Sequence, residues 1–156
     1  MITDVKIKDT YLITLIGVRQ AKEGYAFIHH GPSSLCEDCK YRRVCIESLE
    51  VGRIYEVVGI REKIFPCKLH EAGVRVVEVT ESGIRAALSH KLAIEGAVII
   101  FQQQECDMQT CKNYEICVPR GLLKGDRCRI SEIGEKIVCP KDLLLVIAVL
   151  QRLPAS

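Results

Sequence analysis

Short apolar runs rich in β-branched and aromatic residues recur along the chain, separated by polar and glycine-containing stretches. Such runs are typical of β-strands. The pattern predicts strands at Tyr11–Val18, Tyr25–His29, Gly52–Ile60, Val74–Val79, Gly96–Phe101, Asp126–Ile133 and Asp142–Leu150. It also predicts a short helical turn around Tyr41–Ser48, and it leaves Leu88–Gly96 open as a helical turn or the end of a strand. We therefore expect a mainly β protein, with an α+β fold as the alternative.

The pattern repeats within the chain. The segments AKEGYAFIH, from Ala21, and AIEGAVIIF, from Ala93, have Ala, Glu and Gly at the same positions. Four pairs of residues are each separated by 72 positions: Cys39 and Cys111, Cys45 and Cys117, Cys67 and Cys139, Gly24 and Gly96. Gly52 and Gly125 are 73 positions apart, which implies a one-residue slip that is recovered before the last cysteine. Self-similarity at a nearly constant spacing indicates an internal duplication.

We therefore predict two tandem, pseudo-symmetric β-rich units, residues 1–80 and residues 81–156, packed together as one body. About four strands per unit suit a small barrel or a barrel shared by both units. In each unit a cysteine-rich loop lies between the second and third strands. The full length of 156 residues is enough to bury a substantial core.

Charge and apolar content suggest an intracellular location. The net charge of +2 gives no strong case for nucleic acid or membrane binding. The N-terminal segment MITDVKIKDTYLITLIG carries charges where a signal peptide needs an apolar run, and the longest apolar run, Leu143–Leu150, is far shorter than the ~20 residues that span a bilayer. We expect a soluble cytoplasmic protein with no membrane contact. Thiols stay reduced in that compartment, except in hyperthermophiles, so the nine cysteines favour metal binding over disulfides.

Eight of the cysteines form two matched sets. The first unit has the spacing C-x2-C-x5-C-x21-C, formed by Cys36, Cys39, Cys45 and Cys67. The second unit has the spacing C-x4-C-x5-C-x21-C, formed by Cys106, Cys111, Cys117 and Cys139. Four thiolates satisfy either one tetrahedral zinc ion or one [4Fe–4S] cluster. The sequence therefore predicts two four-cysteine sites, one per unit.

The spacing favours clusters over zinc. Structural zinc sites usually combine two close pairs of ligands, whereas three thiols lie close together here and the fourth is remote. A looping segment can reach three corners of a cluster and leave one for a distant residue. The C-x2-C-x5-C segment also resembles cluster-binding segments of iron–sulfur nucleases and of auxiliary-cluster domains. We expect two [4Fe–4S] clusters, with two Zn²⁺ ions as the alternative. In the remaining interpretation the thiols bind no metal and are buried or form disulfides.

Two further residues, His70 and Cys128, are considered as metal ligands. His70 lies near Cys67, but its counterpart is Asp142, so we expect it at the surface or behind the ligands. Cys128 is left over; with the one-residue slip it matches Tyr55, within a strand, and an inert core thiol is expected there. Cys67, which recurs as Cys139, is the expected fourth ligand.

The segment CKYRRVC carries a local basic patch of Lys40, Arg42 and Arg43 around Tyr41. The patch could contact phosphates or an acidic partner, although a solvated loop that offsets the charge of a thiolate site explains it as well. At the same place in the second unit only Lys112 persists. No phosphate-binding, dinucleotide-binding or nucleophile motif is present, so nothing in the sequence assigns a reaction.

The sequence resembles an archaeal family, uncharacterised protein family 0179, over nearly its whole length. The segments that carry the resemblance are TLIG from Thr14, AKEG from Ala21, CEDCK from Cys36, EVGRIYEVV from Glu50 and HEAGVRVVEV from His70. The resemblance implies an archaeal cytosolic origin, often in anaerobes, and no established activity.

Three functions are compatible with these features. The first is an iron–sulfur protein for electron transfer, redox sensing or cluster handling, with a protein redox or assembly partner and no catalytic site. The second is a zinc-stapled module that binds RNA or the ribosome. The third is an enzyme that uses a cluster as a Lewis acid; it needs a site with only three thiolates, which the two four-cysteine sets disfavour. We favour the first.

Overall fold

Two compact units make up the chain in the computed structural model, which describes residues 11–154. The division falls between Ser82 and Gly83, close to the boundary that the sequence suggests. The fold is mainly β with two tandem units, which confirms the predicted fold class. Residues 1–10, on which the absence of an export signal partly rests, lie outside the described residues.

Each unit contains one four-stranded antiparallel sheet. The strands of the first unit are β1 (Leu12–Gly17), β2 (Ala26–Ile28), β3 (Ile54–Phe65) and β4 (Val74–Glu81). Those of the second are β5 (Ile84–Ser89), β6 (Val98–Ile100), β7 (Arg127–Ile137) and β8 (Leu145–Arg152). The spatial orders are β1-β4-β3-β2 and β5-β8-β7-β6, so both sheets have one topology and curl in the same way.

Among residues 11–154, helical structure is confined to short segments. The α-helices of this part of the chain are α1 (Arg42–Cys45) and α2 (Tyr114–Cys117), and each lies between the second and third strands of its unit. The 3₁₀ helices are Val18–Gln20, Ser34–Cys36 and His90–Leu92. In the described part of the chain, no helix has the length and apolar character needed to cross a membrane.

The strand registers match between the units and locate the one-residue slip. Tyr55 pairs with Phe27 in the first unit, and Cys128 pairs with Ile99 in the second. Both β3 and β7 then contain a register irregularity, between Ile60 and Ile64 in the first and between Ile133 and Lys136 in the second. A bulge can absorb one residue without changing which face is buried. The slip is therefore recovered inside the third strand of each unit, before the last cysteine.

Alternating burial along the strands places a buried apolar cluster in each unit. On β4 the side chains of Val77 and Val79 are fully buried. They belong to a cluster of six buried residues: Ala21, Leu49, Tyr55, Val57, Val77 and Val79. In the second unit Ala87, Cys117, Ile137 and Leu145 form a buried cluster at different positions of the repeat. Because Cys117 belongs to this cluster, one of the predicted ligands is also part of the second core.

Several predicted boundaries were wrong. The second unit has an additional first strand, β5, whose alanine-rich sequence IRAALS lacks the β-branched run that marked the other strands. Leu88–Gly96 contains both alternatives, since β5 ends at Ser89 and a 3₁₀ helix follows. The last strand begins at Leu145 rather than Asp142, because Asp142 has φ 58° and lies in a turn. The helical turn expected within Tyr41–Ser48 is α1.

The strand predicted at Gly52–Ile60 is longer than expected and leads directly to Cys67. The single strand β3 runs to Phe65, and Cys67 lies in the turn between β3 and β4. One strand of 12 residues spans roughly 40 Å at ~3.3 Å per residue, so it brings a distant part of the sequence back to the cysteine-rich loop.

Candidate metal sites

The first three cysteines of the first unit are positioned by consecutive tight turns. Cys36 ends the 3₁₀ helix Ser34–Cys36, which is capped by Ser33: its Oγ accepts a hydrogen bond from the Leu35 N–H at 3.2 Å. The Cys39 N–H then donates to the Cys36 carbonyl at 3.2 Å, and the Arg42 N–H donates to the Cys39 carbonyl at the same distance. Cys45 is the last residue of α1. Local hydrogen bonds therefore order this loop around its thiols.

The second unit uses a similar construction. The Tyr114 N–H donates to the Cys111 carbonyl at 3.0 Å, as Arg42 does to Cys39, and Cys117 ends α2 as Cys45 ends α1. The Cys111 N–H donates to the Met108 carbonyl at 2.9 Å. The loop between Cys106 and Cys111 is two residues longer than its counterpart, which accounts for the spacing C-x4-C.

The remote cysteines share one backbone arrangement. The Leu69 N–H donates to Cys67 Sγ, and the Lys141 N–H donates to Cys139 Sγ, both at 3.4 Å. In each case the donor lies two residues after the cysteine. Hydrogen bonds from N–H groups to ligand sulfurs are among the features that set the properties of a thiolate-bound metal centre. The turn after each third strand therefore presents a thiol suited to metal ligation.

The thiols of each set interact electrostatically with one another. Burial, followed by the charges of Cys36, Cys67 and Cys39, raises the pKa of Cys45 to about 11. Burial likewise raises the pKa of Cys117, followed by the charges of Cys106, Cys111 and Cys139. All four cysteines of the second set line one pocket, and Cys36, Cys39 and Cys67 of the first set line another. Four thiolates at one place repel one another, and a bound cationic centre reverses that balance.

The chemistry of the donors limits the candidate groups. Each predicted set consists of four thiols, which suit either one zinc ion or one iron–sulfur cluster. Among residues 11–154, no three His, Cys, Asp or Glu side chains are grouped closely enough to hold one metal ion. The donor types therefore fit an iron–sulfur cluster and zinc alike.

Hydrogen bonds tie each cysteine loop to the first strand of its sheet. Buried Thr14, on β1, donates through Oγ1 to the Cys45 carbonyl at 3.0 Å. In the second unit Gln104 links the loop to β5. Its backbone N–H donates to the Cys117 carbonyl at 3.2 Å, and its side-chain Nε2 donates to the Ala87 carbonyl at 3.5 Å. The last cysteine of each loop is therefore fixed relative to the sheet that carries the remote cysteine.

The basic residues of the first loop lie at the surface. Lys40 Nζ is 5.3 Å from the centroid of the Tyr41 ring, which in turn packs on Phe65 at 4.5 Å between centroids. Arg42 Nε is 3.8 Å from Glu47 Oε2, with both side chains well exposed, so this ion pair contributes little. Arg43 is exposed. Lys40 and Tyr41 line the same surface pocket as Cys36, Cys39 and Cys67.

His70 and Cys128 lie outside the two sites. The His70 ring packs against Gly17, where an added Cβ would lie 2.7 Å from Nδ1. His70 does not line the pocket that contains Cys67. Cys128 is fully buried and occupies the ladder position that Tyr55 has in the first unit, as the slip predicts.

Two features of the sites were missed at the level of sequence. Ser33 Oγ lies 3.6 Å from Cys36 Sγ, so its hydroxyl is within hydrogen-bonding reach of a predicted ligand. In the second unit the Lys141 ammonium is 3.2 Å from Asp107 Oδ1, and this ion pair joins the segments that carry Cys106 and Cys139. The sequence does place Asp107 next to Cys106 and Lys141 two residues after Cys139, but only the fold brings the two charged groups together.

Comparison with known proteins gives one family. A family model described as "Uncharacterised protein family (UPF0179)" matches residues 12–150. A UPF0179 protein from Methanosphaera stadtmanae is 43% identical over 129 residues, or 82% of this chain and 91% of its own. Relatives of the same description from Methanosarcina acetivorans and Methanothermobacter thermautotrophicus are 44% and 39% identical, over 80% and 76% of this chain and 84% and 81% of their own. No solved structure gives a significant match.

Proposed function

The chain belongs to the uncharacterised protein family UPF0179, and from this premise we propose that it is an iron–sulfur protein with one [4Fe–4S] cluster in each unit. Its role is electron transfer, redox sensing or cluster handling in the cytoplasm, where thiols remain reduced. One observation carries the proposal: Cys106, Cys111, Cys117 and Cys139 line one pocket, and three cysteines of the first set, Cys36, Cys39 and Cys67, line another.

The ligand set argues for a carrier or sensor rather than an enzyme. A cluster that acts on a substrate as a Lewis acid needs one iron without a protein thiolate. Each unit offers four thiols, which supply a ligand to every corner and leave none open. The proposed clusters therefore exchange electrons, or are themselves passed on, without binding a substrate.

The position of the thiols suits exchange with another protein. Seven of the eight predicted ligands are partly exposed, with Cys117 as the buried exception. Exposure and the backbone N–H groups that point at Cys67 and Cys139 both affect the reduction potential of a cluster. We therefore expect a protein redox or assembly partner that approaches the cysteine loops from outside.

Purification without oxygen tests this proposal. We expect a brown protein whose visible absorption bleaches when dithionite is added, because reduction changes the charge-transfer bands between iron and sulfur. A colourless protein with stoichiometric zinc would contradict the proposal and favour the second candidate, a zinc-stapled module that binds RNA or the ribosome. That candidate draws its support from the exposed Arg43 and from Lys40, which stands over the Tyr41 ring beside the first site.

A further inference from the structure

The outer face of strands β6 and β7 in the second unit combines exposed apolar and cationic side chains. The register places Val98 opposite Arg129 and Ile100 opposite Arg127. Residues directly opposite each other in an antiparallel pair project to the same face. Cys128 and Ile130 alternate with the two arginines and are buried, so the arginines project outward. Val98 is 43% exposed and Ile100 is 60% exposed.

The duplication supplies an internal comparison for this face. In the first unit the same ladder positions are Ala26 opposite Glu56 and Ile28 opposite Ile54. The fold therefore does not require either arginine, since an equivalent strand pair forms with a glutamate in place of Arg129 and an isoleucine in place of Arg127. Two cations and a larger apolar side chain at position 98 belong to the second unit alone.

The turns beside this strand pair contribute exposed apolar side chains but no net positive charge. Exposed Leu123, in the turn before β7, corresponds to Glu50, and exposed Ile94, in the turn before β6, corresponds to Lys22. Lys124 replaces Val51, whereas Asp126 replaces Arg53 and accepts a hydrogen bond from the Leu123 N–H at 2.7 Å. The positive charge that distinguishes this face therefore comes from the two arginines of β7.

The two arginines are arranged to receive carboxylates. Arg129 Nη1 donates to the Gly96 carbonyl at 3.1 Å, which fixes the guanidinium and leaves its other N–H groups available. Arg127 makes no side-chain ion pair with any residue of the described chain, 11–154. They stand two residues apart on one strand, roughly 7 Å along its axis. Guanidinium groups bind carboxylates through paired N–H donors, which gives geometric specificity.

From these observations we propose that the β6–β7 face is a docking surface for an acidic segment of a partner protein. An extended segment with carboxylates at alternate positions repeats at the spacing of Arg127 and Arg129. Apolar side chains of the partner cover Val98 and Ile100. Single-stranded nucleic acid fits less well, because it is bound by basic grooves with aromatic platforms and this face presents aliphatic side chains. The proposal does not depend on the identity of the metal.

Binding of a defined probe tests the proposal. The probe is a fluorescein-labelled twelve-residue peptide that alternates glutamate and leucine, and its anisotropy is measured with the full-length metal-loaded protein. We expect saturable binding that weakens as salt is raised. The double variant Arg127→Glu, Arg129→Glu should weaken it at least tenfold. Val98→Ser with Ile100→Ser should weaken it by a smaller factor, with little change in its salt dependence.

Matched controls separate binding from folding. Glu56→Gln changes the charge at the ladder position equivalent to Arg129 in the first unit, and Lys136→Glu reverses a charge elsewhere on β7; both should bind the peptide as the wild type does. All variants should keep wild-type metal content and melting temperature. If Arg127→Glu, Arg129→Glu unfolds, the single variants Arg127→Gln and Arg129→Gln replace it, with an expected loss of at least threefold each.

Four results would overturn the proposal. These are no binding by the wild type, binding that the arginine variants leave unchanged, and tighter binding of a twelve-nucleotide uridine oligomer, or of vesicles with 30% phosphatidylserine, that the same variants abolish. The last two would reassign the face to nucleic acid or to an anionic membrane. A colourless, zinc-loaded preparation that still binds the peptide would contradict the proposed cluster function and leave the docking surface intact.

Discussion

His29 is buried in the first unit, with its Nε2 at 3.0 Å from the Ile46 carbonyl. Burial lowers the pKa of this imidazole, the hydrogen bond to Ile46 opposes that effect, and neighbouring His30 lowers the pKa further. The neutral ring is therefore the form that the folded unit accommodates. Its counterpart in the second unit is Phe101, which is also buried and cannot titrate.

The stability of the first unit should therefore decrease in mild acid. Because the pKa is lower in the folded state, the unfolded chain binds the proton first. Stability that is present above about pH 6.5 is lost as the pH falls through the lowered native value. The measurement is urea unfolding followed by hydrogen exchange of first-unit peptides between pH 8 and pH 5. His29→Phe should flatten the pH dependence, and equal slopes for both proteins would contradict the account.

Substitution of the remote cysteine in each unit should change the metal content of that unit alone. Cys67→Ala should remove the metal of the first unit and leave that of the second, so metal content should fall by about half. Cys139→Ala should do the reverse. Cys128→Ala is the matched control: it removes a buried thiol outside both sets, so it should lower the melting temperature slightly and leave metal content unchanged. Wild-type metal content in Cys67→Ala would exclude Cys67 as a ligand.

Among the elements, the turn between β3 and β4 carries the remote ligand of the first unit, and its backbone is tightly constrained. Gly73 has φ 89°, and an added Cβ would lie 2.7 Å from the Phe65 carbonyl oxygen. Gly24 has a similar φ of 87° but open space around it. Both glycines therefore avoid left-handed strain, which costs other residues about 1–2 kcal/mol, and only Gly73 also avoids a clash.

Gly73→Ala should lower the free energy of unfolding of the first unit by more than Gly24→Ala does. The left-handed strain is common to both variants, so the excess, at least about 1 kcal/mol, reports the contact with Phe65. The Cys67 turn should also lose protection, which hydrogen exchange of Leu69 and its neighbours measures. Equal destabilisation by the two variants would contradict this account, because it would show that the backbone at Phe65 can shift to accommodate the added Cβ at little cost.

At the scale of secondary-structure elements, the sequence predicted well those elements whose glycines and cysteines recur in both units. It predicted poorly the elements that lack such markers. Tyr55 and Cys128 were matched correctly, because glycines and cysteines mark the same positions in both units. Strand β5 was missed, because its alanines become strand residues only through pairing with β8. The bulges after Ile60 and Ile133 were also missed, since they depend on strands distant in sequence. Both proposed ligand sets rest on the spacing of the cysteines, and they stay predictions. The contacts of Ser33 and of the Leu69 N–H with cysteine sulfurs could be found only from the folded backbone.

At the scale of the whole molecule, each unit contains a buried apolar cluster of its own. The buried clusters around Val77 and Leu145 give each sheet a source of stability other than metal. The loops have only short helices and turns, so their order depends more on the thiols that they present. The proposed clusters would therefore contribute their binding energy mainly to folding of the loops.

Removal of metal without oxygen should consequently leave the sheets folded and loosen the loops. Far-ultraviolet circular dichroism should retain its strand signal, while hydrogen exchange should accelerate in residues 34–47 and 104–118. Restoring iron and sulfide should reverse the change. Complete loss of strand signal on chelation would show instead that the metal stabilises the sheets themselves.

The most direct test of two four-cysteine clusters is the count of iron and acid-labile sulfide per chain in protein purified without oxygen. The account predicts roughly eight of each, since every [4Fe–4S] cluster contributes four iron and four sulfide. About two zinc ions with no sulfide, or a protein with neither metal, would contradict it.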